Sequence, residues 1–204
     1  FFFKQKTAYE IPKRDWSSDV CSSDLGSNLT TARGYASGVS DGAVYGYVVG
    51  GSTGAIVATA ERLTFSTGVM ASSTISNLSS ARADETGVSD GAVYGYTLGG
   101  AAAAATAAAD RLTFSTSASA ASTVSNLSQA RFYAGYTGIS DGSIYGYVTG
   151  GYTTAPVATS DRLTFSTSVT AASTASNLSQ ARYDPACTSD GSTYGYTSGD
   201  RKST

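Results

Sequence analysis

Large apolar side chains recur at every second position in short runs, and polar or glycine-rich clusters separate the runs. In Ala-Val-Tyr-Gly-Tyr-Val-Val at 43–49, Tyr45 and Tyr47 share one parity, while Gly46 sits on the other between Val44 and Val48. Period two with aromatic and β-branched residues predicts a strand. Leu63 and Phe65 of Arg-Leu-Thr-Phe share a face in the same way, with Thr64 opposite. Both parities carry apolar or very small groups, which predicts a sheet covered on two sides; a sheet with one wet face alternates more cleanly. Asp41-Gly42 before the first run predicts a tight hairpin turn, and Gly50-Gly51 after it ends the strand. Four strands are expected per unit: around 34–40, at 43–49, centred on 61–65, and centred on 71–76.

The unit repeats. SDGAVYGYVVGG at 40–51 returns as SDGAVYGYTLGG at 89–100, SDGSIYGYVTGG at 140–151 and SDGSTYGYTSG at 189–199. Asp41, Asp90, Asp141 and Asp190 are spaced 49, 51 and 49 apart, and Arg62, Arg111 and Arg162 of RLTFST are spaced 49 and 51 apart. A third motif, NLTTAR at 28–33, recurs as NLSSAR at 77–82 and as NLSQAR at 126–131 and 177–182. Only Arg131 to Asp141 is longer, by two residues, so the insertion belongs to a loop. The run AAAAATAAAD at 101–110 has helical propensity, yet a helix that short is marginal alone, and Gly99 to Arg111 keeps the spacing of Gly50 to Arg62. Loop plus strand is expected there.

The two ends lie outside the pattern. KQKTAYEI at 4–11 and DWSSDVCSSDL at 15–25 resemble one reading frame of a sequencing-library adapter, and DRKST at 200–204 resembles the same adapter. Residues 1–25 and 200–204 are accordingly expected to be non-native. Without them the chain holds seven Arg, ten acids, no Lys and no His, a net charge of −3. No basic patch is present for nucleic acid, and no apolar run reaches the roughly 18 residues of a membrane span. Cys187 alone makes neither a disulfide nor a metal site.

A period near fifty residues, four strands per period and a glycine pair after an aromatic strand together resemble kelch repeats, in the wider group of the galactose-oxidase propeller. The resemblance covers 27–199. It rests on Gly50-Gly51, Gly99-Gly100 and Gly150-Gly151 after YGYVV, YGYTL and YGYVT, on Leu-x-Phe in RLTFST, and on Arg82, Arg131 and Arg182 closing NLSxAR. Kelch repeats usually add a Trp after the aromatic residue; Ser, Thr and Ala stand here, so the core is lighter. The resemblance implies an all-β, partial propeller: an open arc of three four-stranded antiparallel blades (near 33–82, 82–131 and 131–182) and part of a fourth (182–199). Propellers close with about 4–8 blades, so the remaining blades of a longer parent chain are expected partners. Repeats of this kind also resemble those of proteins from aquatic microbial and phage sequence collections, which concerns source more than function; separately, an extracellular or virion surface is favoured.

The chemistry-bearing residues read as architecture. Asp41, Asp90, Asp141 and Asp190 recur once per unit, as turn-capping carboxylates do. Single acids a blade apart do not make a calcium site. Glu61, Asp110 and Asp161 precede Arg62, Arg111 and Arg162 directly, so on a strand they point away from them. Arg82 and its counterparts are expected to reach a carboxylate or carbonyl of an adjacent blade. Ser and Thr lack a His or Lys base, and a copper-radical site lacks His. Tyr133, Tyr136 and Tyr152 lie in loops and are candidates for stacking on sugars. A non-catalytic module for protein or glycan binding, without cofactor, leads; a purely structural array is a second reading, and the scaffold of an enzyme whose catalytic residues lie elsewhere is a third.

Overall fold

The computed structural model describes residues 27–136 and 138–199; the expected non-native segments 1–25 and 200–204 lie outside them. Three four-stranded antiparallel sheets and one two-stranded sheet follow one another along the chain. The first holds β1 (Ser37–Ser40), β2 (Tyr45–Val49), β3 (Ala60–Thr64) and β4 (Val69–Ser72). The second holds β5 (Thr86–Ser89), β6 (Tyr94–Leu98), β7 (Ala109–Thr113) and β8 (Ala118–Ala121). The third holds β9 (Ile139–Ser140), β10 (Tyr145–Thr149), β11 (Ser160–Thr164) and β12 (Val169–Ala172), and the last pairs β13 (Ala186–Ser189) with β14 (Gly195–Ser198). Strand order follows chain order in every sheet, and no sheet runs into the next. This is an open arc of a β-propeller.

Two sequence expectations need correction. The fourth strand ends at Ser72, and Thr74–Ser76 forms a 3-10 turn rather than a strand. Side-chain bonds end the strand there: the Ser73 and Ser76 hydroxyls share a 2.7 Å hydrogen bond, and Asn77 Oδ1 accepts from the Ala60 amide at 2.8 Å. The first strand is also shorter than 34–40 and begins at Ser37. The alanine run enters β7 only at Ala109, after a loop.

The core lies between sheets, not within them. Val39 and Tyr47 project from the first sheet onto Leu112 and Phe114 of the second, with Leu78 closing the cluster. Val88, Tyr96 and Leu127 meet Leu163 and Phe165 of the third in the same manner. Tyr47 stacks on Phe114 and Tyr96 on Phe165, each with centroids 6.0 Å apart. Tyr47 and Tyr96 therefore face the following blade, while Gly95, Gly146 and Gly195 receive Val39, Val88 and Ile139 of the preceding one.

First strands approach one another around the axis. Their serines form a ladder: Ser89 Oγ donates to Ser40 O, Ser140 Oγ to Ser89 O, and Ser189 Oγ to Ser140 O, each at 2.7 Å. The insertion in the third blade turns inward. Gly135 O accepts from Thr86 Oγ1 at 2.7 Å, and Tyr136 O accepts from Ser37 Oγ at 3.1 Å and from the Gly87 amide at 3.3 Å. It ties three blades together across the axis.

Candidate functional site

The repeated arginines sit in the blade junctions. Arg82 meets Asp110 of the next blade at 2.7 Å, and Arg131 meets Asp161 at 2.7 Å, with both pairs fully buried. Arg82 also donates to Thr97 O at 3.2 Å and Arg131 to Val148 O at 3.1 Å. Ser79 adds its amide at 3.0 Å and its hydroxyl at 3.1 Å to Asp110. Arg33 and Glu61 repeat the pair at 2.8 Å in the first blade. Arg182 has no carboxylate among the described residues; it donates to Gly199 O at 3.4 Å.

The glycine pairs hold the same junction from the other side. Gly51, Gly100 and Gly151 donate to the carbonyls of Arg82, Arg131 and Arg182 at 3.0, 3.0 and 2.9 Å. All six residues from Gly50 to Gly151 in these pairs have positive φ. A Cβ on Gly51 would stand 2.5 Å from Gly34 O, and one on Gly100 2.7 Å from Ala83 O, so only glycine fits the corner.

Arg62, Arg111 and Arg162 lie over the rings of Tyr45, Tyr94 and Tyr145 at 4.4, 4.6 and 4.5 Å. Arg62 and Arg111 also donate to Ser117 Oγ (3.1 Å) and Ser168 Oγ (3.2 Å) of the following blade, where the Tyr47 and Tyr96 hydroxyls meet the same oxygens at 2.8 Å. Asp41, Asp90, Asp141 and Asp190 each cap their own turn, with Oδ1 accepting from three successive amides. Partial burial works against the charge on Asp41 and Asp141, but the amides outweigh it and hold both below the usual carboxylate value. In Asp190 the Thr193, Tyr194 and Ser192 amides bring it to about 2.

The loop face at the opposite end, where first strands begin, is where the copies diverge. Two residues after each closing Arg stand Tyr35, Asp84, Tyr133 and Asp184, all left-handed with φ between 53° and 58°. Such a φ is uncommon outside glycine. A chain of amide bonds across blades maintains it: Asp84 to Tyr35 O at 3.0 Å, Tyr133 to Asp84 O at 3.3 Å, and Asp184 to Tyr133 O at 2.6 Å.

Of the three candidate tyrosines, the structure brings Tyr133 and Tyr152 into one cluster and sends Tyr136 elsewhere. Phe132 lies 4.6 Å from Tyr133 and 5.6 Å from Tyr152; Tyr183 lies 6.3 Å from Tyr133 and 5.6 Å from Tyr152. Phe132 and Tyr152 bridge where Gly34 pairs with Ser52 and Ala83 with Ala101 in the sister blades. Phe132 and Tyr183 escaped the sequence reading. Their signal was divergence immediately after an otherwise uniform NLSQAR.

Tyr136 instead donates to Asp84 Oδ1 at 3.2 Å. Burial, reinforced by Asp84 and Asp184, raises the Tyr136 hydroxyl far above its ordinary value. Burial and nearby Asp184 raise Asp84 against the opposing Tyr136 bond. Next to it Glu85 is fully buried, with no hydrogen-bond partner for either oxygen among the described residues. Desolvation pushes it to about 8; the nearby Glu85 and Ser37 amides and the Arg82 charge oppose this, and Asp84 reinforces it.

The fold and its junctions define a β-propeller-like repeat protein. No family model matches this chain, and no curated protein matches it.

Proposed function

We propose that this chain is a non-catalytic, kelch-like repeat module that recognises a glycan through the loop face of its third blade. One observation carries the reading: Phe132, Tyr133 and Tyr152 of the third blade cluster with Tyr183 of the fourth, where the first two blades pair Gly34 with Ser52 and Ala83 with Ala101 and carry a lone Tyr35. Those blades pack through the same Tyr–Phe and Arg–Asp contacts without any such cluster, so the aromatic residues serve something other than the scaffold. A purely repetitive array would keep this loop uniform.

Aromatic faces offer a platform for the apolar face of a sugar ring, and carboxylates accept from its hydroxyls. Asp84 and Asp184 belong to the same set of left-handed positions as Tyr133. Kelch-type propellers suit the role, because rigid blades support loops that vary freely.

The test is a glycan array probed with the chain, then repeated with Tyr133→Asn and Tyr152→Ala. Asn tolerates the left-handed backbone at 133. Each variant is expected to weaken retention about tenfold, or about 1.4 kcal/mol, with the melting temperature held within a few degrees. Retention of a protein but no glycan would move the reading to protein recognition. Variants that bind as well as the parent would refute it.

A further inference from the structure

At both complete junctions a third strand lies against the blade before it. Leu112 and Phe114 of the β7 segment cover Tyr47 and Leu78; Leu163 and Phe165 of the β11 segment cover Tyr96 and Leu127. Among the described residues, the corresponding surface of the third blade has no such cover. Ile139, Tyr147 and Leu178 line an open groove of about 450 Å³ beside Gly195 and Thr197 of β14. Tyr47 and Tyr96 are buried at their junctions, whereas Tyr147 is half-buried.

The strand edge bordering this groove is also without a partner strand among the described residues. β6 pairs with β5 on one side and β7 on the other, with Gly95 opposite Leu112 and Thr97 opposite Asp110. Among the described residues β14 pairs only with β13. Its backbone groups on the far side are a ready template for another strand.

At the end of the groove stand the two residue types that hold an acid elsewhere. Ser79 and Arg82 bind Asp110, and Ser128 and Arg131 bind Asp161, through a Ser amide at 3.0 or 3.2 Å and an Arg at 2.7 Å. Ser179 and Arg182 are their counterparts, without an acid among the described residues.

The geometry points to this groove as a peptide-binding site that takes an extended segment of pattern acid-x-Leu-x-Phe, added antiparallel to β14. The occupant has the chemistry of this chain's own third strand. Its Leu falls opposite Gly195 and reaches Tyr147 and Leu178, and its acid falls opposite Thr197 and reaches Ser179 and Arg182. The site is independent of the glycan reading, since it lies on a blade face and shares no residue with the aromatic loops.

The probe is a synthetic peptide of residues 109–122, ADRLTFSTSASAAS, titrated into the full chain by calorimetry and by hydrogen exchange. Saturable one-to-one binding is expected, with amide exchange slowed at 194–198. A peptide carrying Leu112→Asp and Phe114→Asp leaves the protein unaltered and is expected not to bind. Arg182→Ala is expected to weaken the parent peptide about tenfold, as loss of a charge-assisted hydrogen bond does, and to leave the Asp110→Asn peptide no weaker than before. No saturable binding, equal binding of the altered peptide, an unchanged affinity in Arg182→Ala, or protection away from β14 would each overturn the site. A chain already dimeric, whose dimer the peptide fails to dissolve, would overturn it too.

Discussion

Glu85 makes stability depend on pH in an unusual direction. It is fully buried where sister blades carry Ala36, Ala134 and Pro185, and its carboxyl is raised from 4.5 to about 8 by desolvation. Below 4.5 the folded and unfolded chains both hold the proton, and the full stability is present. Between 4.5 and 8 the unfolded chain ionises while the folded chain keeps its proton, so unfolding releases a proton and stability falls as pH rises. Above 8 both are ionised and the loss is complete. At 1.36 kcal/mol per pH unit the ceiling on that loss is about 5 kcal/mol, large beside the roughly 5–15 kcal/mol of an ordinary domain. Urea unfolding at pH 5, 6, 7, 8 and 9 measures it, with Glu85→Gln as the reference that keeps shape and removes the charge. Asp84 also titrates high and interacts with Glu85, so parent and variant are compared in an Asp84→Asn background. Asp41, Glu61, Asp141 and Asp190 are held low, so their contribution is lost only on acidification through the range near 4 and below. A parent-minus-variant difference that stays flat or rises between pH 5 and 8 would refute the reasoning.

The junctions give further tests. Arg82→Ala leaves Asp110 buried and unpaired and is expected to cost about 3–5 kcal/mol by urea unfolding, with the Arg82→Ala/Asp110→Ala pair costing less than the sum of the singles. Gly95→Ala places a Cβ 2.8 Å from Val39 Cγ2 and is expected to cost about 1–3 kcal/mol, whereas Gly46→Ala meets only the exposed Phe65 ring at 3.2 Å and is expected to cost clearly less. Phe65 is 42% exposed against 4% for Phe114, and Tyr196 is 58% exposed. An apolar-surface dye is therefore expected to bind the chain, and Phe65→Ser with Tyr196→Ser to reduce its fluorescence; unchanged fluorescence would place the dye elsewhere.

Period and parity exposed most of the architecture because both are local. Tyr45-Gly46-Tyr47 has to put its rings and its glycine on opposite faces, whatever lies across the junction. The acid partner of Arg82 was not local: Asp110 lies 28 positions on, and the nearer acids Asp84 and Glu85 do not pair with it. Thr74-Ile75-Ser76 reads as strand by its β-branched residues, yet hydroxyl and amide side chains on either side bend it into a 3-10 turn. The left-handed Tyr35 and Tyr133 have no sequence signature at all, since amides from neighbouring blades impose the conformation. The burial of Glu85 depends on how closely Gly50 and the Arg82 backbone approach, which one repeat does not encode.

The two ends of the arc differ in how tightly the blade contacts constrain them. At the Asp-Gly end, Ser40, Ser89, Ser140 and Ser189 carry a ladder in which each rung depends on the previous blade, and an altered rung would disturb two blades at once. At the other end, the residue after each closing Arg is Gly34, Ala83, Phe132 or Tyr183, although the Arg beside it is unchanged. In an array stabilised by nearest-neighbour interfaces, substitutions that leave those interfaces intact cost little. Constraint at one end and freedom at the other are therefore consequences of where the interfaces run. The proposed glycan recognition falls at the free end, where the aromatic cluster of the third and fourth blades stands.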